Sequence, residues 1–320
     1  DSSTSRGLGD VYKRQIQARF FESDIPERQH WNQSVLLKPN RTLDSATLQK
    51  ALHTLLEQHD ALRLNFARQY AGWQAVFAPL DSSAVLWTRE LAHSDELPAL
   101  ADEAQRSLDL KSGPLLRAVL VNLAGGEQRL LLVIHHLVVD GVSWRVLLED
   151  LQQALAGAAL PAKTSSYKAW AEKLHAWANS PALEAERGYW QGVLDAGDSA
   201  LPQDNPQGSL RIDTAAHAAS TLNEELTSQL LKVAPAAYRT QVNDLLLTAL
   251  AQVLCQWSGK PSVLVQLEGH GREDLFDDID LSRTVGWFSS LFPVRLTPAT
   301  TAAASICAIK EQPVSYTHLR

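Results

Sequence analysis

The side chains best suited to chemistry lie in one stretch, "VIHHLVVDGVSW", from Val133 to Trp144. His135 and His136 close the apolar run "LLLVI", and Asp140 follows the second histidine by four residues. An imidazole exchanges protons near neutrality, so a histidine at the end of an apolar strand can act as acid or base. A run apolar at consecutive positions reads as a strand covered on both faces, which puts His136 where the chain leaves the interior. Asp140 lies among apolar neighbours, and a carboxylate there is costly unless a cation pairs with it. Arg63 and Arg283 are the candidate cations. Gly141 is expected to permit a turn that a side-chained residue would resist. Ser143 and Trp144 either line a site beside the histidines or begin a helix with a packed tryptophan.

The elements that must position these residues follow from periodicity. "QSVLLKP" alternates as a strand, and Leu48, Leu52, Leu55 and Leu56 have helical spacing behind a cap at Asp44 or Ser45. "RLNFARQYAGWQAVF" reads as a hairpin turned at Ala71-Gly72, with helix signal returning near "ELPALADEAQRSLDL". "LLRAVLVNLAGGEQRLLLVIHH" is strand, turn and strand, and Leu147, Leu151 and Leu155 mark one face of the helix after Gly141. "GAALPAKTSSYKAW" is the looser segment where an interlobe connection is expected. Beyond it come helices, a Pro/Gly/Asp-rich loop passing into a strand at "SLRIDTAAH", and the strand "SVLVQL" ending in a polar turn. "TVGWFSSLFPVRLTP" is expected to continue that sheet. The mixture indicates an α/β protein, with α+β mixed sheets, in two lobes.

Composition narrows the function. The 320 residues carry 29 basic and 36 acidic side chains, a net charge of −7, and no basic stripe that would take nucleic acid. No apolar run reaches the roughly 18 residues of a membrane span. The two cysteines, Cys255 and Cys307, form neither a disulfide framework nor metal-like spacing, so a reduced, cytoplasmic setting is expected. No metal ligand set is expected. The aperiodic ends, 1–15 and 313–320, read as foreign flanks, and the chain has no methionine.

Five ordered segments carry a resemblance. They are "IQARFF", "HHLVVDGVSW", "VNDLLLTAL" at 242–250, "EGHGRED" at 268–274 and "RTVGWFSSLFP" at 283–293. From about Ile16 to Gln312 the chain resembles the epimerization domain of nonribosomal peptide synthetases, a member of the condensation-domain superfamily. "HHLVVDGVSW" alone indicates the superfamily, whereas "EGHGRE" and "RTVGWF" point to epimerization. "IQARFF" lacks the family's tryptophan before the phenylalanine, and the family's last motifs, beyond "ICAIKEQ", are absent. The resemblance implies two chloramphenicol-acetyltransferase-like lobes forming a V around a channel. The first, 16–162, carries the histidine motif, and the second, 163–312, carries "EGHGRE" and is incomplete.

The implied reaction is L-to-D inversion at the α-carbon of an aminoacyl or peptidyl thioester. The 4′-phosphopantetheine arm belongs to a partner carrier protein, and the domain itself is expected to bind no cofactor. The carrier domain is expected upstream and a condensation domain downstream, with neither nucleic acid nor membrane as partner. Inversion needs a positioned acid/base pair and stabilisation of the enolate. His136 and Glu268, each at the end of an apolar strand, are the expected pair. A carboxylate partly removed from water becomes a stronger base, and His136 could alternatively hydrogen-bond the thioester oxygen. His135 is expected to hold the loop and Asp140 to be an arginine's buried partner. Asn243 and Asp244 either reach the site or begin a helix. His270 is either a third polar group or a solvated turn residue, and Arg272 either meets the arm's phosphate or is likewise solvated.

A condensation domain would use His136 to assist amine attack on a thioester, and Glu268 argues against it. A non-catalytic docking module would tolerate loss of the second histidine, which is present. A metal held by His135, His136, Asp140 and Glu268 lacks supporting cues in the sequence.

Overall fold

A computed structural model describes residues 16–70, 72–195, 200–209 and 211–317. The chain forms two compact units, one of residues up to Ser180 together with Gly269–Ser290, the other of Pro181–Glu268 together with the residues from Leu291 onward.

The first unit centres on a four-stranded sheet of order β1-β6-β5-β4, where β1 is Asn32–Leu37, β4 Leu86–Leu91, β5 Leu116–Leu123 and β6 Gln128–His135. β1 and β5 flank β6 antiparallel, and β4 joins β5 in parallel. The side-chain period of two sends Leu116, Ala118, Leu120, Leu130, Leu132 and Ile134 to one face and Val119, Val121, Leu131 and Val133 to the other. Helices α2 (Ser45–Gln58) and α4 (Gly141–Leu155) cover the first face, and α3 (Leu97–Arg106) the second. That is why "LLLVI" is apolar at every position. The short α1 (Ile16–Glu22) and the hairpin β2 (Leu64–Gln69)–β3 (Gly72–Phe77) add to the first core. Gly72 has φ 109°, and Ala71 of the expected turn lies outside the described residues.

α2 begins where its cap was expected, because the Asp44 carboxylate accepts the Thr47 amide N–H at 2.8 Å. The edge strand β4 has no counterpart in the sequence reading. Its exposed positions bear Thr88 and Glu90, so no buried alternation stands out in "LWTREL". α5 (Tyr167–Ala178) also belongs to this unit. Its Trp170 and Leu174 pack with Leu281 and Phe288, so the compact unit extends to Ser180 and takes in 269–290, where the sequence suggested a division at 162/163.

The second unit contains α6 (Pro181–Asp195), α7 (Glu224–Ser228), α8 (Ala234–Tyr238), α9 (Val242–Ser258), the paired strands β7 (Val263–Gly269) and β8 (Ser290–Leu296), and α10 (Ala302–Thr317). Leu247, Ala251, Cys255, Val263, Val294, Leu296 and Ile309 form its core. "TVGWFSSLFPVRLTP" therefore supplies a strand from Ser290 onward, while its first half stays with the first unit. The strand expected near "SLRIDTAAH" is a single 3-10 turn, Ile212–Thr214, among the described residues there. α10 runs into the expected 313–320 flank as far as Thr317, and the 1–15 flank lies outside the described residues. No helix among the described residues is long and apolar enough to cross a membrane.

Candidate active site around His136

From Leu130 to Asp140 every residue is buried except His136. The backbone explains this. β6 ends at His135, a 3-10 turn spans His136–Val138, and Asp140 caps α4 by accepting the Ser143 N–H at 2.7 Å. α1 anchors that turn, with Gln17 donating from Nε2 to the Leu137 carbonyl at 2.7 Å.

His135 is buried and bonded through both ring nitrogens. Its Nδ1 accepts the Leu137 N–H, which leaves Nε2 as the donor to the Arg28 carbonyl at 2.8 Å. The ring is wholly buried, with Phe20 edge-on at 5.8 Å. Burial pushes its pKa down to about 4, against the hydrogen bond to Arg28, which favours the charged form.

His136 is held differently. Its Nδ1 lies 2.8 Å from the Val139 carbonyl, which can only accept, so the neutral ring carries its proton on Nδ1. The Nε2 lone pair then receives the Gln33 amide at 3.1 Å. Gln33 is turned that way because its Oε1 accepts the Trp144 indole N–H at 2.8 Å. The Trp287 ring lies against the imidazole with centroids 4.3 Å apart and planes at 32°.

Asp140 pairs with neither expected arginine. Its partner is Arg272, with Nη2 at 3.2 and 3.3 Å from the two carboxylate oxygens and both side chains more than nine-tenths buried. Arg63 instead bonds Asp60 at 2.8 Å, three residues earlier in the same turn. Arg283 bonds Glu149 at 3.1 Å and the buried Asp150 at 2.5 Å. Arg272 is thus neither solvated nor open to a phosphate. It also donates to Ser143 Oγ and to the carbonyls of Leu281 and Thr284, and lies over the Phe288 ring. Burial lowers its pKa, and Asp140 opposes that shift. Asp140 further accepts the Phe288 N–H, and Ser143 Oγ donates to the Gly286 carbonyl and accepts the Gly286 N–H. One buried ion pair and one hydroxyl therefore fasten 269–290 to the start of α4, and Trp287 rides on that segment.

Gly141 is not the glycine that the backbone requires. Gly141 has no left-handed φ, and an added Cβ would meet nothing within 4 Å. The conformationally required glycine is Gly271, at φ +64°, where a Cβ would fall 1.7 Å from the Phe288 carbonyl oxygen.

The structure thus brings together His135, His136, Asp140, Ser143, Trp144 and Arg272, and adds Gln33 and Trp287. His270 is exposed and its Nδ1 accepts the Arg272 N–H at 3.0 Å, which makes it a turn former. Glu268 and Asn243 belong to the second unit. Glu268 sits on the face of β7 opposite Val265 and Leu267, and is exposed rather than partly removed from water. Asn243 is exposed on the first turn of α9, while Asp244 caps that helix through the Gln241 N–H at 2.9 Å.

The Condensation domain family matches residues 9–318. The chain belongs to the condensation domain family. One protein of the linear gramicidin synthase of Brevibacillus parabrevis is 43% identical over 330 residues, covering 98% of this chain and 6% of that protein. Another protein of the same synthase is 46% identical over 325 residues, covering 97% and 4%. The chain therefore spans only a small part of the length of these relatives. The crystal structure of the epimerization domain from the third module of tyrocidine synthetase B matches with a TM-score of 0.88 and 34% identity, over 96% of this chain and 72% of that one. The mixed α/β fold is that of condensation and epimerization domains.

Sequence reasoning missed three residues of this condensation-family site. Gln33 lies between the polar Asn32 and Ser34 on β1, and shares the core-facing side with Val35 and Leu37. Gln17 left only the weak signal of a glutamine beside apolar residues. Asp150 could have been found, since it falls on the apolar stripe of α4 with Leu147 and Leu151; it holds His59 at 2.8 Å as well as Arg283.

Proposed function

We propose that this chain inverts the α-carbon of an aminoacyl or peptidyl thioester carried on a partner protein's 4′-phosphopantetheine arm during nonribosomal peptide synthesis. The observation that carries the reading is the state of His136. It is the one incompletely buried residue of its stretch, with its Nδ1 proton committed to Val139 and its Nε2 lone pair directed to the Gln33 amide. In this reading Nε2 and the Glu268 carboxyl are the two acid/base groups. One takes the α-proton as the C–H electron pair passes into the enolate, and the other returns a proton to the opposite face. Support for epimerization comes from "EGHGRED" and from the likeness to the tyrocidine synthetase epimerization domain. His135 and the Asp140–Arg272 pair are buried, hold the loop, and in this reading take no part in proton transfer. The carrier domain would dock from the same assembly line, as the relatives' names as parts of a synthase suggest.

The family match also favours a second reading, in which His136 Nε2 assists amine attack on the thioester and a peptide bond forms. The two separate in one experiment. A carrier protein loaded with an L-aminoacyl thioester is incubated with the domain in its parent protein, and the released amino acid is resolved on a chiral column. An L/D mixture supports inversion. A new amide, formed only with an acceptor present and without D product, supports condensation and overturns the first reading.

A further inference from the structure

We propose that Gln33 is a positioning residue that holds the His136 ring with Nδ1 as the donor and Nε2 as the acceptor between turnovers. This rests on the reading of His136 as an acid/base group. Three side chains form a one-directional relay. The Trp144 indole can only donate, so it fixes Gln33 Oε1 as acceptor at 2.8 Å. That turns the Gln33 NH2 toward His136 Nε2 at 3.1 Å. The Val139 carbonyl meanwhile fixes the His136 proton on Nδ1 at 2.8 Å. Every donor in this chain meets an acceptor only while Nε2 is unprotonated.

Protonation of Nε2 breaks the order. When the α C–H bond breaks and its proton moves to Nε2, the new N–H faces the Gln33 NH2, donor against donor. If the amide turns over to offer Oε1 to the imidazolium, its NH2 then faces the Trp144 N–H. The conflict moves but does not vanish. Gln33 therefore opposes the charged ring, and the substrate must displace the amide to use the base. The register supports this placement, since Gln33 lies opposite Ile134 on the strand paired with β6, and α4 supplies Trp144. The titratable or charged groups on the surrounding elements include His135, with both nitrogens committed, the Asp140–Arg272 ion pair, Arg28, whose carbonyl holds His135, His30 in the same turn, and Arg145, Glu149 and Asp150 on α4. A change at Gln33 leaves these in place.

Gln33→Glu replaces the NH2 by a second acceptor, which can take both the Trp144 N–H and an imidazolium N–H. Gln33→Leu removes the opposing donor without adding an acceptor, and guards against a misfolded Glu variant. The 320-residue chain, labelled with nitrogen-15, is titrated between pH 5 and 9, and the imidazole signals of His136 report its charge. The midpoint is expected to rise by about one pH unit or more in Gln33→Glu, the worth of one charge-assisted hydrogen bond. A smaller rise is expected in Gln33→Leu. The acid limb of α-proton exchange should move upward with it. An unchanged midpoint in both folded variants overturns the relay. A shifted midpoint with no exchange in the wild-type domain upholds the relay and overturns the inversion reading.

Discussion

Removing the Asp140 carboxylate is the sharpest test of what fastens residues 269–290 to the histidine loop. In Asp140→Ala, the Arg272 guanidinium keeps its burial and loses its counter-ion, 132 residues away in the chain. Breaking a buried pair from one side costs about 3–5 kcal/mol. The same change uncaps α4, for about 1 kcal/mol more, and leaves the Phe288 N–H without its acceptor. The expected loss is about 4–6 kcal/mol, comparable to the whole stability of many domains. Arg272→Met keeps the apolar contact with Phe288 but leaves Asp140 buried with two amide donors. The double variant has no stranded charge, so it should be more stable than the sum of the single losses by at least about 2 kcal/mol. Urea unfolding followed by tryptophan fluorescence supplies all four values. A loss below about 1 kcal/mol in Asp140→Ala, or additivity within about 0.5 kcal/mol, would refute the reasoning.

Other perturbations have equally definite outcomes. His135 is pushed down to about 4 from 6.5, so its neutral form contributes stability that is complete above pH 6.5 and lost as the pH falls toward 4. The loss over that window is about 3 kcal/mol, and His135→Gln should flatten that limb of a stability–pH curve. His59, lowered by burial against the pull of Asp150, acts in the same direction and remains in that variant. Gly271→Ala should cost about 3 kcal/mol or more, because its Cβ would overlap the Phe288 carbonyl; thermal unfolding reads this directly. Gly141→Ala should change stability by no more than about 1 kcal/mol, since the site is helical and open, and a large loss would contradict that geometry.

What was legible in the sequence divides along physical lines. Local signals sufficed for α2 with its Asp44 cap, for the doubly covered β6, and for His136 as the emerging residue, because each depends on neighbours a few positions apart. Asp140 was recognisable as a buried acid, but its cation was not. Arg63 is captured locally by Asp60, and Arg283 by Glu149 and Asp150, and nothing in the sequence ranks three arginines that lie more than 70 residues away. Gln33 was passed over because it lies in the polar run Asn32-Gln33-Ser34 at the start of β1, although its period-two partners Val35 and Leu37 face the core. Glu268 shows the converse: its place at the end of an apolar strand suggested burial, yet the alternation of β7 sends it away from Val265 and Leu267.

The central claim is that His136 and Glu268 exchange the α-proton of a tethered thioester. The direct measurement is solvent deuterium incorporation at that carbon, by mass spectrometry of the amino acid released from the carrier, with the domain in its parent protein. Wild type should incorporate deuterium and yield both enantiomers, while folded Glu268→Gln and His136→Ala should each lose exchange by at least about a hundredfold. Full exchange in either folded variant, or none in the wild type, contradicts the account.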